Sequence, residues 1–585
     1  MGVRMKSDGG DTIAQALRVN GVRFIFTRCG SHISPILVGC NRHGIRVIDV
    51  RDEASAVFAA DAVARLTGVP GVAVVTAGPG VTNTITAVKN AQRAQSPLIL
   101  LGGSAPTILK NRGARRDMDP IHLLKPVVKT ALSIRRARDL VPVMKLTFLA
   151  ARSGAPGPVF VDCPMDLLYG EALVRRWCAA PPASCGQAQP IRRRLANRYL
   201  NHRLGRLFSE RPEKFPEERP AIPPPRASAG QVKKAAVRIA TSQKPIMVIG
   251  SQAVLPIDKV HDLARAVEHL DIPVYLTGTT RGLLGKNHRL EVRHRRKAAL
   301  READVVILAG IPCDFRLGYG RPFHPETTVI AVSRDPLDLK LNRQPDLAIN
   351  ADPCRFVCDL AARRIHYPPK WNIWLQELHE TDELGDKRIL YHSHQNTEYI
   401  NPLYFLKKLE QALPENCILI ADGGDFAITA SRILRPPAPL TWLDCGAFGT
   451  PGAGAGFALG AALCRPGAEV WIIYGDGAAA YSLSEFDTFT RHRIPVIAVI
   501  GNDAGRTQTN RGQMKFFHDD VGTRLRHTDY HRVAIGYGGR GLLLDEINRI
   551  DYTLNEARTI AGRGLPVLIN TLIGTTDYRK SAISA

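Results

Sequence analysis

The sequence predicts an α/β protein built from three doubly wound parallel-sheet domains. Short apolar runs alternate with helix-like stretches in three successive regions, and polar, proline-bearing connectors separate those regions. The length of 585 residues agrees, because it exceeds what one hydrophobic core organises and corresponds to roughly three or four domains.

The first region, residues 11–174, opens with a helix over 11–20 and an apolar strand over 22–27. Strand 46–50, helix 53–66 and strand 72–76 follow, and a further helix leads into a strand ending at Leu101. A basic connector then closes with Pro223, Pro224 and Pro225. The second region, 228–365, carries apolar strands at 245–249, 274–276, 305–309 and 328–332. The third begins near residue 396, with strands at 417–421, 469–474, 495–500 and 566–570. Domains are therefore expected over 1–190, 228–367 and 396–585, joined by linkers over 191–227 and 368–395.

Composition is that of a globular enzyme, 45% apolar and 23% charged. The net charge of +24 favours polyanionic partners such as nucleotides or coenzyme A. Two clusters stand out: Arg192, Arg193, Arg194, Arg198, Arg203 and Arg206, and Arg289, Arg293, Arg295, Arg296 and Lys297. They read as solvated faces. No familiar nucleic-acid module accompanies them, so nucleic acid is not an expected partner. The eleven cysteines are scattered without CxxC pairs, and the Cys354/Cys358 spacing has no second ligand pair for zinc. A reducing compartment is the simplest inference. The N-terminus MGVRMKSDGG lacks a signal-peptide core, and no stretch approaches the ~20 apolar residues that span a bilayer.

In the third region an apolar strand over 470–474 ends in Gly475-Asp476-Gly477, residues 482–492 read as a helix, and strand 496–500 ends in Gly501-Asn502-Asp503-Ala504-Gly505. Neighbouring parallel strands open their carboxyl ends into one crevice, so both turns face a single ligand. Glycines beside Asp476 admit a phosphate close to the backbone, and helix N-termini supply amides. An aspartate with further oxygens suits a hard octahedral cation such as magnesium. Asp476 is the anchor ligand, Asp503 or its neighbour Asn502 the second, and the Gly505 carbonyl the third. Residues 475–505 are thus expected to bind a magnesium-held diphosphate.

In the first region Glu53 opens an apolar helix, where the helix dipole favours a carboxylate. The following strand ends in the tight turn Ala77-Gly78-Pro79-Gly80-Val81-Thr82-Asn83. The segment RDEASAVFAADAVARLTG, the turn TAGPGVTN and the later GDG with Asn-Asp together resemble thiamine-diphosphate-dependent enzymes of the acetolactate synthase type. GARRDMDP, CDFRLGYG, DGGDF, CGAFGT, GAGFALGA, LSEFDTF and GNDAG are similar to the 2-hydroxyacyl-CoA lyases of that family, and the likeness covers nearly the whole chain.

The resemblance implies a pyrimidine-binding, a central and a diphosphate-binding domain. Glu53 matches the glutamate that hydrogen-bonds the aminopyrimidine, with Gly78, Pro79 and Asn83 against the same ring. Gly424, Asp425, Phe426, Gly449, Thr450, Gly475, Asp476, Gly477, Ala478, Asn502 and Asp503 match the remaining cofactor contacts. His32, in Gly30-Ser31-His32-Ile33, matches a segment near the reacting carbon and is the candidate proton-transfer residue. Thiamine diphosphate and Mg2+ are the implied cofactors, and the central domain is expected to bind either the ADP part of coenzyme A or FAD. The implied assembly is a homodimer or tetramer with the active site between chains.

The implied reaction cleaves a 2-hydroxyacyl-CoA to formyl-CoA and an aldehyde one carbon shorter, as in fatty acid α-oxidation. A decarboxylating carboligase acting on 2-oxo acids and a cofactor-binding pseudoenzyme are the alternatives. Four positions depart from the family pattern. Arg28 and Pro451 replace apolar residues, Arg116 a glutamine and Arg506 a tryptophan. A cytoplasmic protein is expected from the sequence as it stands, and an endoplasmic reticulum membrane location if an apolar anchor like that of the animal relatives precedes it.

Overall fold

The computed structural model describes residues 8–178, 191–209, 215, 222–363 and 370–579. The first seven residues and the side chains of Arg192, Arg193 and Arg194, all invoked above, lie outside these. The chain divides into two compact units, Met1–Ala64 with Val69–Ile222, and Arg65–Gly68 with Pro223–Ala585.

The first unit holds a six-stranded sheet of β1 (Phe24–Arg28), β2 (Arg46–Asp49), β3 (Gly71–Val75), β4 (Leu98–Ser104), β5 (Thr130–Ser133) and β6 (Val159–Pro164). All pairings are parallel, in the order β2-β1-β3-β4-β6-β5. The central strands β3 and β4 are buried along their whole length, as strands covered on both faces must be. Val72, Val74, Ile99 and Leu101 pack with Ile13, Leu17 and Phe148 in one core. The first helix, Gly9–Val19, is capped by Asp8, whose carboxylate accepts from the Asp11 amide at 2.8 Å. Its far end closes through Gly21, at φ +83°, with the Val22 amide bonded back to the Leu17 carbonyl. That closure holds residues 20–22, so β1 starts two residues later than its apolar run suggests.

The second unit contains two sheets. The central one comprises β7 (Pro245–Ile249), β8 (Val274–Leu276), β9 (Val305–Ala309), β10 (Thr328–Ser333) and β11 (Leu347–Asn350), ordered β11-β10-β9-β7-β8. The third comprises β12 (Cys417–Asp422), β13 (Trp442–Asp444), β14 (Glu469–Gly475), β15 (Ile497–Asn502), β16 (Arg540–Leu544) and β17 (Val567–Leu572), ordered β13-β12-β14-β15-β17-β16. Counted within their own domains, the strands of the first and third sheets follow the same order, 2-1-3-4-6-5. In both, the order reverses between the first and third strands, which is where ligands bind in open α/β sheets.

The expected linker 368–395 is occupied by the helix Lys370–Ser393. Trp371 and Trp374 are buried, donating indole N–H groups to the Ser242 carbonyl at 3.0 Å and the Pro245 carbonyl at 3.2 Å. Trp374 and Leu378 join the central core. Trp371, Trp374, Leu375 and Leu378 have helical spacing, so the packing face was written in the sequence. The other expected linker likewise begins with a helix, Ile191–Leu207.

The basic cluster at 289–297 corrects the expectation of a solvated face. Arg289 and Arg295 are exposed, but Arg293 donates to the carbonyls of Arg432 (2.7 Å) and Ile433 (3.0 Å), and Arg296 to that of Arg316 at 2.7 Å. Arg281 adds a bond to the Ser431 carbonyl and stacks over Trp442, 4.7 Å from the ring centroid. The Ser431, Arg432 and Ile433 carbonyls bonded by Arg281 and Arg293 belong to the last turn of the helix Gly424–Ile433, where no intrahelical donor remains for them. The arginines close that helix and complement its dipole. Among the described residues no helix is long and apolar enough to cross a membrane.

The close approach of β3 to the helix Glu53–Thr67 depends on Gly71, where a Cβ would lie 1.7 Å from the Ala60 carbonyl oxygen. Gly71→Ala is expected to cost about 1–3 kcal/mol, the usual range for overpacking. Gly170→Ala, which meets nothing within 4 Å, should stay within about 0.5 kcal/mol. Urea denaturation midpoints of the two variants check this.

Candidate active site

At the reversal point of the first sheet, β1 ends at Arg28 and β3 at Val75, directly paired in register. Glu53 begins its helix immediately beyond β2 and is buried, 3% exposed. Asn83 Nδ2 donates to Glu53 Oε2 at 3.0 Å, and Arg28 Nη1 lies 3.6 Å from Oε1. The turn after β3 carries Gly78 at φ +64°, a left-handed conformation that glycine adopts without strain, and Pro79 opens the short helix Pro79–Thr82. A Cβ on Gly80 would meet the Thr76 side chain at 2.8 Å and stand 3.7 Å from Glu53 Oε1, so this glycine faces that oxygen.

Thr76 links the rest of this group. Its hydroxyl faces His32 Nδ1 at 3.3 Å and accepts from Arg116 Nη1 at 3.4 Å. Burial lowers the His32 pKa, and the charges of Arg116 and Arg115 lower it further, all three favouring the uncharged ring. Arg116 itself holds φ +63°, unusual for a side chain of its size, with its Cβ against Gly78. The structure thus brings together Glu53, His32, Gly78, Pro79 and Asn83, and adds Thr76, Arg28 and Arg116.

At the reversal point of the third sheet, β12 ends at Asp422, β14 at Gly475, and the adjacent β15 at Asn502. Asp422 is fully buried and accepts from the amides of Gly452 (2.9 Å) and Gly454 (2.7 Å), which fixes the loop containing Gly449 and Thr450. Burial pushes its pKa up to about 7. Sequence reasoning ended this strand at residue 421 and did not single out Asp422. A charged residue closing a fully apolar run was the available signal.

Asp476 accepts from the Gly477 amide at 2.7 Å and the Gly505 amide at 3.2 Å, bridging the two turns. Its pKa is pushed up to about 7, first by burial and then by the charge of Asp503. Asp503 is raised to about 6, by burial first, against the lowering effect of the Thr507 hydroxyl that donates to it. Two carboxylates so placed repel each other in the ionised form, and a divalent cation with further oxygens would offset that repulsion. Among the described residues no group of three or more His, Cys, Asp or Glu side chains is arranged to hold a metal. Any cation here would need backbone or ligand oxygens as well.

Asn502 differs from its neighbour. Its Nδ2 donates to the Thr528 carbonyl and to Asn570 Oδ1, both at 3.1 Å, and its Oδ1 accepts from the Ala504 amide at 3.4 Å. Asp425 is held by both Arg511 nitrogens at 2.6 Å, with Arg579 at 3.1 Å. The Phe426 side chain lies in the core beneath Gly501, where a Cβ would meet the ring at 2.3 Å. Its backbone is what it can present to a ligand. Gly424 (φ +87°) and Gly449 (φ +67°) occupy left-handed turns, and Gly477 and Ala478 belong to the short helix Asp476–Ala479. Pro451 packs against Gly423, 3.2 Å from where a Cβ would stand.

Asp422 generates a test. Its folded pKa of about 7 exceeds the unperturbed 3.8, so its contribution to stability is present below pH 4 and is lost as pH rises through 7. Asp422→Asn should remove that loss, gaining on the wild type by up to about 4 kcal/mol between pH 4 and pH 8. Thermal melts at both pH values measure the difference.

The chain matches three family models: thiamine pyrophosphate enzyme N-terminal TPP binding domain over residues 7–123, central domain over 232–360, and C-terminal TPP binding domain over 422–571. It is 47% identical to the human protein named 2-hydroxyacyl-CoA lyase 2, over 98% of this chain and 92% of that one. The Caenorhabditis elegans protein of the same name is 44% identical over 99% and 92%. A Mycobacterium bovis protein named probable acetolactate synthase is 32% identical over 96% and 95%. With sheets of this topology and candidate groups at both reversal points, the chain belongs to the thiamine pyrophosphate enzyme family.

Proposed function

We propose that this chain is a thiamine-diphosphate- and magnesium-dependent lyase that cleaves a 2-hydroxyacyl-CoA to formyl-CoA and an aldehyde one carbon shorter. The observation that carries this reading is Glu53, a buried carboxylate oriented by Asn83, in a chain alike nearly end to end to proteins named 2-hydroxyacyl-CoA lyase 2. When bound, thiamine diphosphate supplies the nucleophilic carbon and the electron sink for such a cleavage.

The protein's part is to bind, orient and move protons. Glu53 Oε1 lies beside Gly80 and would hold the aminopyrimidine nitrogen, while Asn83 keeps the carboxylate in that orientation. Gly78 and Pro79 let the ring lie close to the backbone. His32, bonded to Thr76 in surroundings that favour its uncharged form, would take the hydroxyl proton of the substrate. Asp476, Asp503 and the Gly505 carbonyl would ligate magnesium. Asn502 would instead brace the turn, since its amide is engaged with Asn570 and Thr528. Gly424, Asp425, Phe426, Gly449, Thr450, Gly475, Gly477 and Ala478 would surround the diphosphate. We infer that the central domain takes the nucleotide part of coenzyme A, and that the enzyme works as a homodimer or tetramer.

Three measurements test this. Aldehyde release from a 2-hydroxyacyl-CoA should fall roughly 100-fold or more in Glu53→Gln. Carbon dioxide release from 2-oxo acids would instead mark a carboligase, and cofactor binding without turnover a pseudoenzyme. Asp503→Ala should abolish magnesium dependence while Asn502→Ala retains it, and the opposite result would move the ligand to Asn502. Finally, Mg2+ should raise the melting temperature more at pH 8, above the values of about 7 and about 6 for Asp476 and Asp503, than at pH 5, where the pair holds its protons.

A further inference from the structure

We propose that Arg28 is a positioning residue that occupies Glu53 in the free protein and competes with the cofactor for it; this rests on the role given to Glu53 above. The Glu53 carboxylate has two oxygens. Oε2 is taken by Asn83, and Oε1 faces Arg28 from 3.6 Å. The carboxylate is 4% exposed while the arginine side chain is 56% exposed, so the guanidinium reaches Oε1 from the solvent side. Gly80 faces the same oxygen, since a Cβ there would stand 3.7 Å from Oε1. Asn83 already donates to Oε2, so a ring nitrogen that hydrogen-bonds Glu53 through Oε1 meets the guanidinium there and competes with it.

Backbone placement makes this competition hard to avoid. Arg28 is the last residue of β1 and pairs with Val75, one residue before Thr76. Its side chain thus starts beside the turn that carries Gly78 and Gly80, with Arg116 on the turn's other flank through Thr76. A lysine at position 28 would keep the charge, and a leucine would keep bulk without an ion-pair partner for Glu53. A half-exposed ion pair contributes modestly, so the expected effect is a two- to five-fold change in the cofactor's dissociation constant.

The experiment is calorimetric titration of the full-length protein with thiamine diphosphate in excess Mg2+, for wild type, Arg28→Leu, Arg28→Lys, Glu53→Gln and the Arg28→Leu/Glu53→Gln double variant. Near-ultraviolet circular dichroism of the bound aminopyrimidine is recorded alongside. Arg28→Leu should bind two- to five-fold tighter than wild type and intensify the aminopyrimidine band, and Arg28→Lys should match wild type. In the Glu53→Gln background the leucine substitution should change little, because the partner it releases is gone. Equal or weaker binding by Arg28→Leu, or the same change in both backgrounds, overturns the proposal while leaving the Glu53 reading intact. If none of the five proteins binds the cofactor, the Glu53 reading falls and this inference with it.

Discussion

A strand that runs parallel to its neighbours ends its apolar residues at the same level as they do, and the candidate site of this protein hangs from that edge. β12 ends at Asp422 opposite Tyr474, β14 at Gly475 opposite Gly501, and β15 one residue further at Asn502, so a carboxylate, a glycine turn and an amide emerge at successive steps of one edge. The first sheet repeats the arrangement where β1 and β3 finish at Arg28 and Val75. Shifting either register by one residue would move each terminal side chain to the opposite face of its sheet. The buried apolar strands that fix the register are therefore as necessary to the site as the polar groups beyond them.

Those polar groups are held at some energetic cost. Asp422, Asp476 and Asp503 all sit where burial disfavours their charge. Asp422 is answered from within the chain by two amides, and its position closes the loop carrying Gly449 and Thr450. Asp476 is answered in part by the amides of Gly477 and Gly505, and Asp503 by the hydroxyl of Thr507. The last two still repel each other when ionised, whereas Asp422 is a fastening. Carboxylates of similar burial are thereby given different tasks by what surrounds them.

Arginine is used in this chain in equally separate ways. Arg281 and Arg293 reach from the central domain to the final carbonyls of the helix Gly424–Ile433, whose other end begins at the candidate diphosphate turn. The helix is thus anchored at its C-terminal end, away from the candidate turn. Arg511 and Arg579 hold Asp425 at that N-terminal turn. Arg28 and Arg116, by contrast, stand at the edge of the first sheet with exposed side chains and one polar contact each to the groups they flank.

Much of this was legible in the sequence, for local reasons. Apolar runs such as 245–249 and 305–309 are strands to the residue, because a buried parallel strand has little else to be. The turns at Gly78 and Gly475, the acid at Glu53 and the pair Asp476/Asp503 follow from short segments whose spacing is set by the backbone. Five strands escaped notice: the edge strands β5, β11 and β16 are only partly buried and the edge strand β13 is three residues long, so they show little core pattern, while the interior β6 was missed although it is buried along its whole length. Tertiary structure alone decided the rest. Whether Asn502 or Asp503 faces Asp476 depends on Asn570 and Thr528, more than twenty residues away along the chain. That Arg293 caps a helix, that Arg511 holds Asp425 and that Arg28 meets Glu53 are contacts between distant segments, and no local pattern encodes them. The sequence by itself determined which chemical groups stand at the strand ends, through the periods of helix and strand; only the folded sheets decided which of those groups meet.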